Sequence, residues 1–205
     1  MIILPNHKAV YISCERTGSH TMFKVLKERF GGYHYKGHGY HGRVIPKDCR
    51  GWFTFATCRN PYARAVSIWW AATKNVRACG QRWVEQAEWN KTFGGFAQWL
   101  SKHPPGPTIL WPQHRWFSGV LVNQFMHLEY LSDECRMLPL WEGPGPEGHE
   151  GKTPHEPWET YYDEDIARNI QMWAGAEFEM FGYSRDINER GKSQFQTFGG
   201  GGETG

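Results

Sequence analysis

Three groups of residues in this 205-residue chain have side chains suited to chemistry. The first is Arg16-Thr17-Gly18-Ser19-His20-Thr21, a cation followed by small and polar residues around one glycine. The second is Arg59, with Ser67 eight residues further on and Arg64 between them. Arginines and hydroxyls at such spacing hold phosphate or sulfate groups through charge-assisted hydrogen bonds. The third is the set of histidines His34, His38 and His41 in the stretch GGYHYKGHGYHG. An imidazole removes a proton near neutral pH, so one of these histidines is a candidate general base. Three imidazoles close in sequence also raise a metal site. No carboxylate or thiolate joins them at ligand spacing, and so much glycine does not fix them on one helix face, so no metal is expected.

The elements that must position these groups are legible in the pattern. Residues 9–14, AVYISC, form a short apolar run of strand length. Met22, Phe23, Leu26 and Phe30 then recur at helical spacing, with Thr17–Thr21 as the turn and helix start between them. The first N–H groups of a helix lack intrahelical partners and sit at the positive end of its dipole, which makes this turn an anion cradle with Arg16 as its cation. The Walker pattern is absent. The only Gly-Lys-Ser, at Gly191–Ser193, lacks the upstream glycine. Residues 52–70, WFTFATCRNPYARAVSIWW, repeat the plan: a strand from Trp52 to Cys58, then a helix through Arg59-Asn60-Pro61. Pro61 suits the first helical turn. Arg59 then stands at the carboxyl end of its strand and Ser67 about two turns into the helix, so the two grip one phosphate from two sides.

These motifs resemble those of the sulfotransferases that use 3′-phosphoadenosine 5′-phosphosulfate (PAPS). Glu15-Arg16-Thr17-Gly18-Ser19 is similar to the family's 5′-phosphosulfate loop, usually Pro-Lys-Thr-Gly-Ser. Arg59–Ser67, RNPYARAVS, is similar to its 3′-phosphate motif. The segment HLEYLSDECRML within Gln113–Leu138 and the segment Tyr161–Tyr183 resemble the carbohydrate-type branch in order and spacing. The resemblance implies a P-loop-like three-layer α/β fold with a central parallel sheet flanked by helices. It implies PAPS as donor and the 3′,5′-bisphosphate (PAP) as product, a carbohydrate or other small hydroxyl acceptor, and no required metal. It assigns Arg16, Thr17, Gly18, Ser19, His20 and Thr21 to the phosphosulfate, and Arg59 and Ser67 to the 3′-phosphate. Arg64 has two readings, assisting that phosphate or facing solvent. Related carbohydrate enzymes carry a histidine upstream of the Arg-Asn-Pro strand. His41 and His38, 18 and 21 residues before Arg59, both fit, with His41 preferred as the base. Arg16 would stabilise the leaving phosphate. Two positions differ from the family pattern. Arg16 replaces a lysine, and Glu15 replaces a proline and would repel a phosphosulfate unless turned away. An ATP-dependent kinase and a non-catalytic nucleotide-binding relative are the alternatives.

Composition bounds the rest. The length suits a single domain, read as residues 1–188 with a polar, Gly-rich tail over 189–205. A formal net charge of +2 with no long basic run gives no reason to expect a nucleic-acid partner. Five cysteines without a Cys-x-x-Cys pair read as reduced thiols. MIILPNHK is broken too early by Pro5 for a signal peptide, and no apolar run reaches ~18 residues, so a soluble, cytoplasmic protein with no membrane span is expected. A third strand is expected over Val122–Leu131, with Ser132 capping the helix after it. The Gly/Pro-rich Glu142–Pro157 reads as a loop or lid. A last helix begins near Asp163-Glu164-Asp165, with Ile166, Ile170, Trp173, Ala174 and Phe181 as its buried stripe. Trp83, Trp89, Trp99, Trp111 and Trp116 are candidates to line an acceptor cleft.

Overall fold

A computed structural model describes residues 1–35, 41–74, 91–103, 106–148 and 154–189. The elements run β1 (Ile2–Leu4), β2 (Ala9–Ile12), α1 (Ser19–Phe30), β3 (Tyr33–His34), β4 (Phe53–Cys58), α2 (Pro61–Lys74), α3 (Phe93–Lys102), α4 (Gln113–Phe117), β5 (Gln124–His127), α5 (Leu131–Cys135) and α6 (Glu164–Met180). The fold is mixed α/β. Five strands form one sheet in the order β3-β1-β2-β4-β5. β2, β4 and β5 are parallel neighbours, with Val10 opposite Thr54 and Phe55 opposite Gln124. β1 and β3 extend the sheet antiparallel. The expected central parallel sheet is present as β2, β4 and β5, and two antiparallel strands extend it at one edge. The opening residues Ile2–Leu4 fold back on β2 through the short turn at Pro5–His7 and bury completely.

The strands alternate as a sheet covered on both faces requires. Val10, Ile12, Ala56 and Cys58 join one apolar cluster, which α2, α3, α4 and α6 complete. Ala9, Tyr11 and Phe55 join a second, completed by Met22, Phe23, Leu26 and Phe30 of α1 and by Leu131 and Cys135 of α5. Local chemistry sets the helix starts. Asn60 Oδ1 accepts from Tyr62 N at 2.9 Å, so Asn60 caps α2 with Pro61 in its first turn. Asp163 caps α6 by accepting from Ile166 N at 2.8 Å. The predicted stripe of α6 is confirmed at Ile170, Trp173, Ala174 and Phe181, all buried, with Ile166 at its edge.

One local expectation is corrected. The third strand is shorter than Val122–Leu131: after His127 a 3-10 turn, Leu128–Tyr130, leads into α5, which starts at Leu131. Ser132 therefore lies inside α5 rather than capping it. The described parts of the Glu142–Pro157 segment are irregular loop, as expected, and its start is tied to α1. Arg29, at the end of α1, donates to the carbonyls of Glu142 and Pro144, and Trp141 Nε1 donates to the Pro144 carbonyl at 3.1 Å. Cys14, Cys49, Cys58 and Cys135 are buried free thiols, and Cys79 lies outside the described residues. Among the described residues no helix is long and apolar enough to cross a membrane. The tail from Arg190 onward lies outside the described residues.

Candidate functional site

β2 and β4 are parallel neighbours, so their carboxyl ends open on the same edge of the sheet, where open α/β folds bind ligands. β2 ends at Ile12, and Ser13–Gly18 make the turn into α1. Arg16 and Gly18 both have left-handed backbone, with φ of 67° and 81°. A glycine takes this conformation without cost, whereas a side chain there costs roughly 1–2 kcal/mol. The strain at Arg16 is held from the second motif. Arg59 Nη1 donates to the Arg16 carbonyl at 3.4 Å, and Arg64 Nε donates to the Glu15 carbonyl at 3.1 Å. Gly18 has a second constraint, since a Cβ there would lie 2.4 Å from Leu128 Cδ1. The first helical bond of α1 runs from Met22 N to the Gly18 carbonyl at 3.2 Å. The N–H groups before it have no acceptor within the helix.

The side chains join the two motifs directly. Arg16 donates from Nε and Nη2 to Ser67 Oγ at 3.0 and 2.8 Å, across 51 residues of sequence. Arg59 is half-buried between them and the Gln113 side chain. Burial, then Arg16 and Arg64, lower its pKa to about 10 against the pull of Glu129 and Tyr183, and it remains a cation at neutral pH. Glu15 is turned away from this cluster, with Oε1 accepting from Thr108 Oγ1 at 2.7 Å. The carboxylate beside the turn thus has its own partner.

Not every predicted ligand points at the cradle. The Thr17 side chain is fully buried and donates to the Cys14 carbonyl at 2.9 Å. It continues a buried hydroxyl chain through Thr57, 3.1 Å away, to Tyr11, 2.6 Å beyond. Ser19 and Thr21 are buried at the start of α1, and His20 is exposed. Arg64 does not face solvent. It is fully buried, bonds the Glu15 and Ile109 carbonyls, lies 5.6 Å from the Trp173 ring, and keeps Nη1 without a partner.

A polar frame that the sequence did not reveal supports the arginines. The Gln113 side chain brackets Arg59, accepting from its N–H and donating to its carbonyl, both at 2.9 Å. Gln113 in turn donates from its backbone and side chain to the carboxylate of Glu177, which is fully buried. Burial raises Glu177 to about 7, against Arg64 and the Gln113 bonds that favour its charged form. Glu129 accepts from Asn60 N at 3.0 Å and from Tyr183 OH at 2.7 Å. An acid on the apolar stripe of α6 was the available signal for Glu177, since it follows Trp173 by four residues. Gln113 carried no signal, because its partners are distant in sequence.

His41 lies beside the same turn. Its Nδ1 is 3.0 Å from Ser13 Oγ and 3.4 Å from the Ser13 carbonyl oxygen. In the tautomer with the proton on Nδ1, that proton faces the Ser13 carbonyl and Nε2 keeps its lone pair. Among the described residues nothing bonds Nε2. Burial lowers the pKa of His41, with Glu15 and Ser13 opposing, so the ring is neutral at neutral pH. His38 lies outside the described residues. His34 is in β3 at the sheet edge, paired with Ile2, and does not join the turn. Among the described residues no group of three or more His, Cys, Asp or Glu side chains could hold a metal ion. Of the tryptophans, Trp116 lies edge-on to His41 with centroids 6.2 Å apart, and Trp111 stands between Arg43 and Arg115 at 4.9 and 4.4 Å. Trp99 stacks on His103, away from the turn, and Trp83 and Trp89 lie outside the described residues.

Comparison with models of known protein families finds no match, and neither does comparison with curated proteins or with solved structures.

Proposed function

We propose that this protein is a sulfotransferase. It would move a sulfuryl group from PAPS to a hydroxyl of a carbohydrate or other small acceptor, on a P-loop-like three-layer fold. The observation that carries the reading is the contact between the two motifs. Arg16 grips Ser67 while Arg59 reaches the Arg16 carbonyl, so both cations stand at the carboxyl ends of adjacent parallel strands. The donor set fits a nucleotide with two anionic ends. It offers guanidiniums and main-chain N–H groups, and the nearby acids have partners of their own: Glu15 is engaged by Thr108, Glu129 by Asn60 N and Tyr183, and Glu177 by Gln113.

PAPS, when bound, supplies an activated sulfuryl group. The N–H groups at the start of α1 with Arg16 would hold its phosphosulfate, and Arg59 with Ser67 its 3′-phosphate. His41 Nε2 takes the proton of the acceptor hydroxyl as that oxygen attacks sulfur, with Nδ1 turned to the Ser13 hydroxyl and carbonyl. Arg16 and the helix N-terminus stabilise the charge left on the departing oxygen. Thr17 works from behind, bracing the turn through the Cys14 carbonyl rather than touching the donor.

Calorimetric titration tests the reading. Adenosine 3′,5′-bisphosphate should bind more tightly than ATP, and Arg59→Ala should abolish that binding. Preference for ATP would favour a kinase instead. A sulfate-transfer assay over an acceptor panel distinguishes an enzyme from a nucleotide-binding relative without chemistry.

A further inference from the structure

A cavity of about 880 Å³ opens at the amino ends of β4 and β5, the opposite end of the parallel strands from Arg16 and Arg59. That volume is within the range of small-molecule sites. Three segments build it: residues 43–45, the turn at 49–54 and the approach to β5 at 118–123. Its polar floor is closed on itself. Thr54 N and Oγ1 each lie 2.7 Å from Asn123 Oδ1, Thr54 Oγ1 donates to the Leu121 carbonyl at 2.7 Å, and Asn123 N donates to the Thr54 carbonyl at 2.8 Å. The floor therefore has little left to offer a ligand, and selectivity falls to the walls.

Those walls are apolar and cationic. Val44 and Leu121 stand 65% and 76% exposed at the cavity, well beyond what packing of the core asks of them. Arg43 and Arg50 also line it, and no carboxylate does among the described residues. Arg43 Nε is buried with no hydrogen-bond partner, and no described acid forms an ion pair with either arginine. The Arg43 guanidinium stacks on two rings, 4.9 Å from that of Trp111 and 5.6 Å from that of Trp116. A buried donor left unpaired is costly, so the Arg43 head is disposed to take an acceptor.

We propose that this cavity is a second binding site, for a small amphipathic organic anion: an apolar ring body carrying one carboxylate or sulfonate-type group. The ring lies against Val44 and Leu121, and the anion meets the two arginines. The cavity opens at the amino ends of the strands, and Arg43 is its link to the other end, because Trp116, on which its guanidinium stacks, lies 6.2 Å from the His41 ring.

The full-length chain is titrated with 8-anilinonaphthalene-1-sulfonate and, in parallel, with the neutral N-phenyl-1-naphthylamine, following fluorescence. The sulfonate should saturate one site and bind at least about tenfold more tightly than the neutral probe. Saturating adenosine 3′,5′-bisphosphate should leave it bound. Leu121→Glu, on an exposed position, and Arg43→Gln should each weaken it about tenfold or more, with melting curves verifying that both variants remain folded. No saturable binding, equal affinity for the neutral probe, displacement by the bisphosphate, or parent-like affinity in either folded variant would overturn the proposal.

Discussion

Thr17→Val separates a structural hydroxyl from a ligand-binding one. The Thr17 hydroxyl donates to the Cys14 carbonyl at 2.9 Å and meets Thr57 Oγ1 at 3.1 Å, all within buried surroundings. Valine has nearly the same volume, so no cavity opens. Thr57 keeps its bond to Tyr11 at 2.6 Å. The loss is the donor to one buried carbonyl, worth about 1–3 kcal/mol. For a domain of this size that lowers Tm by roughly 2–12 °C. Thermal unfolding followed by circular dichroism reads the loss, and calorimetry with adenosine 3′,5′-bisphosphate reads binding well below Tm. Binding should change by less than about threefold, since a buried hydroxyl pointing at a carbonyl contributes no direct contact. Thr17→Ser should restore the hydroxyl and most of the stability. The reasoning is refuted if Thr17→Val keeps its Tm and loses binding tenfold, because the hydroxyl would then face the ligand.

Three other outcomes follow from the geometry. His41→Gln should leave bisphosphate binding intact and reduce turnover by roughly 10²–10⁴. With the folded pKa of His41 below 6.5, parent turnover should stay flat as pH falls past 6.5 and drop only below it; a midpoint above 6.5 in the acid limb contradicts the assignment. His127 offers a stability test. Its Nδ1 lies 2.9 Å from Glu134 Oε1 and its Nε2 2.7 Å from the Phe181 carbonyl, both acceptors, so the doubly protonated ring is favoured. Burial lowers its pKa, but the bonds to Glu134 and Phe181 outweigh it and the net shift is upward. Its contribution is therefore complete below the unfolded value near 6.5 and fades as pH rises through the folded one; the Tm gap between parent and His127→Gln should narrow over that rise. Gly18→Ala should cost about 1–2 kcal/mol for its left-handed φ of 81°, with Leu128 yielding to the new methyl, measurable as a lower denaturant midpoint.

Local order was written in local sequence. The apolar run at Ala9–Ile12, the spacing of Met22, Phe23, Leu26 and Phe30, and the Asn60-Pro61 start of α2 each depend on neighbours a few residues away. Their elements were therefore readable without the fold. The same pattern marked Arg16, Arg59 and Ser67, because strand–turn–helix units leave the residue types at their turns open to view.

Which way a side chain turns depends on what lies opposite, and that is decided across the chain. Thr17 and His20 are both polar turn residues, yet His20 is exposed and Thr17 is drawn inward because Thr57, on the neighbouring parallel strand, links it to Tyr11 in a buried hydroxyl chain. Arg64 sits where a helix pattern allows solvent. The folding of Glu15, Ile109 and Trp173 around it makes it a buried strut. Gln113 and Glu177 acquire their place around Arg59 from contacts between α4 and α6, separated by 64 residues. The chain itself determined where strands turn into helices and which cations stand at those turns. Only tertiary packing chose which groups face outward and which are spent holding the turn in shape, since each such choice needs a partner that local sequence does not contain.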